Sequence, residues 1–268
     1  MPEIILSEIL IYLVTGAFVG FAAGLLGIGG GLIIVPVLTL VFGYHFASPE
    51  HIVHLAIGTS LATILITSLS SVRAHHALKG VRWDIVKLLV AGVLLGAFIG
   101  GWASQFFESR TLGIIFGVIE LFIAMNMLLD FKPSPHRELP GLPVNTVAGS
   151  IIGGLSSLVG IGGGTLTTPY LVWNNITMHQ AIATSAAVSL PVAFAGTIGF
   201  LIAGMSAENL PNYATGYIYW PAFFGIVAAS VLTAPLGAKA AQKVSIKLLK
   251  RVFGVFLLIL AAKMLIFS

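Results

Sequence analysis

The chain has 268 residues, 57% of them hydrophobic and only 8% charged, with a net charge of +4. A soluble domain carries roughly a quarter charged residues, so 13 Lys and Arg with 9 Asp and Glu cannot cover a soluble surface of this size. The small net charge is no nucleic-acid footprint, and the absence of cysteine excludes disulfides, thiolate metal sites and a cysteine nucleophile.

The chain is therefore expected to be wetted by lipid and to cross a membrane several times. No Asp, Glu, Lys or Arg lies between Glu8 and Glu50, and none in the 69 residues between Glu138 and Glu208. The longer gap holds more than one crossing at roughly 20 residues per span. The 31 glycines suit membrane helices, where they let backbones approach closely. The run ending at Leu26 carries Glu3 and Glu8 in place of a basic leader, so it reads as a first span and not as a signal peptide.

In chain order, apolar segments are expected near 5–26, 32–46, 52–72, 84–106 and 111–129. A second set is expected near 143–160, 165–176, 179–203, 217–239 and 248–267. Between them Asp130 to Pro143 carries four prolines and mixed charges and reads as a linker. The second segment of each set is short and follows a glycine run, which predicts a half-helix or re-entrant piece.

The two sets are copies of one unit. Gly27-Ile28-Gly29-Gly30-Gly31, followed by Pro36, recurs as Gly160-Ile161-Gly162-Gly163-Gly164, followed by Pro169. Gly16, Gly20 and Leu25 match Gly149, Gly153 and Leu158 at the same offset. The stretch from His54 to Ser60 returns from His179 to Ser185, Trp83 matches Trp220, and Phe116-Gly117-Val118 matches Phe253-Gly254-Val255. This predicts an all-α integral membrane protein with a first repeat at 1–130, a linker at 131–142 and a second repeat at 143–268, acting as one functional unit.

Charge placement sets the relation of the copies. Arg73, Lys79 and Arg82 follow the third segment of the first unit, with His75 and His76 beside them, whereas Gly204 to Gly216 has no Lys or Arg. The positives of the second unit come one connection later, at Lys239, Lys243, Lys247, Lys250 and Arg251. Basic loops face the cytoplasm, so the repeats are expected to be inverted, with the linker inside and both termini outside. The basic loops read first as topology signals touching anionic head groups, and second as a lure for anions.

The glycine runs are the sharpest feature. Glycine costs a helix roughly 1 kcal/mol against alanine, and freed backbone groups are tolerated at membrane depth only where protein or a watery cavity meets them. A helix beginning just after such a run aims its positive end at an anion. Helix packing is the plainer reading; duplication in an inverted repeat favours a central site made by two broken helices. The candidate substrate-binding residues are Gly29, Gly30, Gly31, Gly162, Gly163 and Gly164, with hydroxyl donors from Thr59, Ser60, Thr184 and Ser185. Thr63, Thr67, Ser70 and Ser189 extend the hydroxyl faces, which can equally bond their own carbonyls or glue helices.

Glu120 lies midway along its segment, where a charge is costly and the default is function, here proton coupling. Its counterpart, Leu257, shows that folding does not need an acid there; a hydrogen-bonded structural Glu is the competing reading. His54 and His179 can cap, line a mouth or face the interface. Tyr213, Tyr217, Tyr219 and Trp220 read as an outer aromatic belt.

With these residues in hand, the chain resembles the sulfite exporter TauE/SafE family. The resemblance rests on the doubled Gly-Ile-Gly-Gly-Gly element with its proline, supported by Ile57-Gly58-Thr59-Ser60, Arg73-Ala74-His75-His76 and the pair Gly96 and Gly100. In the second half Ala183 replaces the glycine of the Gly-Thr-Ser element. The resemblance implies export of small sulfur-containing anions such as sulfite or organosulfonates from a cell membrane. The expected partners are that anion and the bilayer, without nucleic acid, metal or cofactor. An anion channel shares the architecture. An intramembrane serine hydrolase, with Ser60 as nucleophile and His54 or His179 as base, has no use for a duplicated nucleophile helix.

Overall fold

The computed structural model describes residues 6–27, 29–46, 49–129, 139–241 and 246–267. Ten helices run through these residues. They are α1 (Leu6–Leu26), α2 (Gly31–His45), α3 (Ile52–Ala77), α4 (Trp83–Ala103), α5 (Ser109–Leu129), α6 (Leu142–Leu158), α7 (Gly164–Trp173), α8 (Met178–Ala203), α9 (Trp220–Ala240) and α10 (Ile246–Phe267). A two-stranded hairpin, β1 (Ala214–Thr215) with β2 (Ile218–Tyr219), precedes α9. Six of the helices are long and apolar enough to cross a membrane. Large apolar side chains such as Leu10, Val14, Leu95, Phe122 and Leu232 point outward, as lipid-facing residues should. The linker region 130–138 lies outside the described residues.

Two elements differ from expectation. Helix α3 runs on to Ala77, five residues past the apolar stretch, so Arg73, His75 and His76 ride its last turns and only residues 78–82 form the connection. Lys79 turns that connection with a positive φ of 56°. The residues before Trp220 belong to the hairpin and not to a span.

Helices α1 and α2 fold back on each other. The His45 Nε2 at the end of α2 lies 3.1 Å from the Glu8 carboxylate at the start of α1, so the pair leaves at the end where it entered. Helices α6 and α7 do the same: the Tyr170 hydroxyl donates to Asn145 Oδ1 at 2.7 Å. The two hairpins enter from opposite ends of the bundle. The first arrives where α3 begins, its Phe46 ring 5.3 Å from Tyr219. The second arrives where α4 begins, because α6 lies alongside α4 in the same direction.

Small residues set these contacts. Gly16, Gly20 and Gly24 of α1 face backbone of α9, and Gly92, Gly96 and Gly100 of α4 face backbone of α6; a Cβ at any of them would collide with it. Close packing of this kind is the membrane substitute for a hydrophobic driving force. Helices α3 and α8 occupy the middle, with α5 and α10 paired at the side.

Candidate functional site

The glycine runs are the tips of the two hairpins, and the tips touch. A Cβ built on Gly29 would lie 2.8 Å from the Gly162 Cα, and one on Gly31 would collide with the Gly160 carbonyl. Backbone conformation demands glycine most strongly in the first tip, where Gly29 and Gly30 have φ of 76° and 88°; there an L-residue pays a left-handed penalty. The second tip is different, since Gly163 has an ordinary φ of −47°. Val19 fills the space in front of Gly30 and Val192 fills that in front of Gly163. Gly29, Gly30, Gly31, Gly162, Gly163 and Gly164 are all buried and come together, each run opening a short helix.

The four predicted hydroxyls stand around this junction and are spent on backbone in a crosswise pattern. The Ser60 hydroxyl donates to the Gly160 carbonyl at 3.0 Å, and the Ser185 hydroxyl lies 3.5 Å from the Gly27 carbonyl. Ser185 also donates to the Ile182 carbonyl and accepts from Thr168. The Tyr219 amide donates to Thr59 Oγ1 at 2.9 Å, and the Arg82 amide donates to Thr184 Oγ1 at 3.0 Å. Each central helix thus holds the tip and the connection of the other half. Ser189, which the sequence placed only on a hydroxyl face, accepts the Gly164 amide and so satisfies a free N–H at the start of α7.

The substitution at Ala183 has a steric cause. A Cβ on Gly58 would meet the Tyr217 backbone, whereas the Ala183 Cβ faces Gly80, which has no side chain. The Tyr217 ring packs against His54 with ring centres 4.7 Å apart. Tyr217 and Tyr219 are therefore not belt residues: both are buried, and only Tyr213 is well exposed. The aromatic spacing is the same for either role, so the sequence could not separate them. Burial pushes both phenols above their usual range, which keeps them neutral.

The histidines part company. His54 bonds Ser109 Oγ and the Ser104 carbonyl, both at 3.1 Å. It is engaged away from Ser60, which removes the nucleophile–base pair a hydrolase would need. His179 is exposed and borders a cavity of about 290 Å³ with His75, Leu78, Gly80, Ile182 and Ala183. A second cavity of about 420 Å³, between α3 and α9, has Arg73 and Lys239 among its lining residues. Arg82 pairs with Asp84 at the surface. Lys247 falls on α10 and not in a loop, and Lys243 lies outside the described residues.

Glu120 is wholly buried on α5, and neither carboxylate oxygen has a hydrogen-bond partner among the described residues. Phe116 and Ala124, one turn either side of it on α5, are buried and apolar. No bond in the crosswise set joins it to the glycine tips.

The family model for the sulfite exporter TauE/SafE matches residues 12–264. The chain belongs to that family. A probable membrane transporter protein of Haemophilus influenzae is 37% identical over 96% of this chain and 97% of its own. One from Methanocaldococcus jannaschii is 30% identical over 92% and 94% of the two chains, and one from Bacillus subtilis is 25% identical over 95% and 96%. No solved structure matches. The match spans nearly the whole TauE/SafE chain, both hairpins included, and with the six apolar helices it makes the protein a multi-pass membrane transporter and not an enzyme.

Proposed function

We propose that the protein exports small sulfur-containing anions, such as sulfite or organosulfonates, by alternating access around the junction of the two glycine tips. The observation that carries this reading is the meeting of two hairpins from opposite ends, each tip leading straight into a helix, at Gly31 and at Gly164. Each helix start carries roughly half a positive charge, so two of them give an anion a place without a fixed cation. The sulfur chemistry of the substrate rests on the family.

Inverted repeats at 1–130 and 143–268 make sense of the crosswise bonds, because exchanging the halves turns the Ser60–Gly160 contact into Ser185–Gly27 and the Thr59–Tyr219 bond into Thr184–Arg82. Packing of α1 on α9 and of α6 on α4 obeys the same exchange. The anion is held by Gly29, Gly30, Gly31, Gly162, Gly163 and Gly164 once Val19 and Val192 turn aside. Thr59, Ser60, Thr184 and Ser185 then offer their hydroxyls in place of the backbone bonds they make here. Such bonds are each worth about 1 kcal/mol net, so trading them for bonds to an anion leaves the opposing conformations close in energy. Glu120, buried without a hydrogen-bond partner among the described residues, is the proton-coupling residue. The end bearing Arg73, Lys79, Arg82 and Lys239 faces the cytoplasm.

Purified protein in proteoliposomes, tested with sulfite, organosulfonates, sulfate, phosphate and chloride, decides the matter. Saturable, counter-flow-competent flux of the sulfur anions is the expected result. Flux that never saturates would make the protein a channel, and absence of flux for every sulfur anion would overturn the reading.

A further inference from the structure

We infer that the anion reaches the glycine junction from the basic end of the bundle, through the cavity beside His179 and Gly80, while the Tyr217 ring plugs the corresponding place at the other end. The inference rests on the carrier reading above.

Gly80 and Tyr217 occupy matching positions. Thr184 accepts the amide of Arg82, two residues past Gly80, and Thr59 accepts the amide of Tyr219, two residues past Tyr217. Gly80 faces Ala183, and Tyr217 faces Gly58. At one place a glycine leaves about 290 Å³ of space, where a single water needs only about 10–15 Å³. At the other a phenol fills the space. Its ring lies 4.7 Å from His54, 5.5 Å from His51 and 6.3 Å from Phe200, centre to centre.

The cavity comes close to the site. Ile182 lines it, and the Ile182 carbonyl lies against Gly27, the first glycine of the first tip. One residue therefore separates the cavity from the junction. Its lining selects for charge as well. Among the described residues no carboxylate borders it; His179 offers an imidazole N–H there, and Lys79 adjoins Gly80. His75 sends Nε2 to the Gly24 carbonyl at 2.9 Å, which leaves the exposed His179 to meet a ligand. The matching ligand is a small oxyanion, sulfonate or sulfite in type, that hydrogen-bonds an imidazole N–H.

The cysteine-free chain allows a direct test. Single variants Ile182→Cys and Ile57→Cys, which sit at matching places, are treated in sealed vesicles of either orientation with an anionic and a cationic methanethiosulfonate. Ile182→Cys should react from the basic side, and the anionic reagent should lead by about tenfold, the low end for focusing of charge in a cleft. His179→Ala should reduce that lead. Ile57→Cys should stay inert from the other side and become reactive when Tyr217→Gly is added, but not with Tyr217→Phe, which keeps the ring. Equal reactivity of Ile182→Cys and Ile57→Cys, or an inert Ile182→Cys, overturns the inference, and this comparison stands even if Tyr217→Gly fails to fold. Labelling needs no transport, so a flux-dead protein with asymmetric labelling would fail only as a carrier, and an active one with symmetric labelling would fail only here.

Discussion

Ala183 and Gly58 hold the same place in the two copies, and what faces each decides which is allowed. Gly58→Ala pushes a methyl into the Tyr217 backbone and should cost about 1–3 kcal/mol, as overpacking does. Ala183→Gly loses a helix-favouring methyl that faces Gly80 and should cost about 1 kcal/mol. Thermal unfolding of the purified proteins in one detergent measures both; an unchanged or raised melting temperature for Gly58→Ala would refute the steric account. Glu120 invites a different measurement. Glu120→Gln keeps the shape and should remain folded, yet lose flux driven by a pH gradient; unchanged pH dependence would return the acid to a structural part. The sequence exposed Glu120 because an isolated charge in an apolar run stands out. It hid the turn of Tyr217 into the core, since an aromatic near a span end looks the same whichever way it faces.

Among the elements, the two tips resemble each other in sequence and differ in backbone. Gly30 needs a left-handed φ, and a Cβ there also strikes Val19; Gly163 has an ordinary φ and only the Val192 side chain in its way. Gly30→Ala should therefore lose about 1–2 kcal/mol more than Gly163→Ala from the left-handed penalty alone. Gly163→Ala combined with Val192→Ala should fold near normally while weakening anion affinity, read by calorimetry on the purified protein. Unchanged affinity would move the site away from the tips. Leucine at either glycine is a poorer probe, because the room it needs is already taken. The short second helices were legible from apolar length and the glycines before them. The reach of α3 to Ala77 was not, because apolarity marks where lipid stops and not where a helix must end.

At the scale of the molecule, the duplicated anchors announced two copies, and the shifted basic clusters are the ground for proposing that they have opposite orientations. Ala77→Cys and Asn212→Cys test this: only Asn212→Cys should react with an impermeant thiol reagent added outside cells, and equal labelling would end the inverted-repeat proposal. How the copies interlock could not be read from either copy alone, because Ser60, Thr59, Ser185 and Thr184 each reach a backbone group of the opposite half. Those bonds also bear on how the protein is made. When the first half has left the ribosome, the groups that will hold its tip and its 78–82 connection have not yet been synthesised. A buried backbone group without a partner costs about 1–3 kcal/mol, so a lone half is an unfinished substrate for membrane proteases. Split between residues 131 and 142 and expressed separately, each half should be degraded. Expressed together they should rescue one another, measured by the steady-state level of each fragment in the membrane.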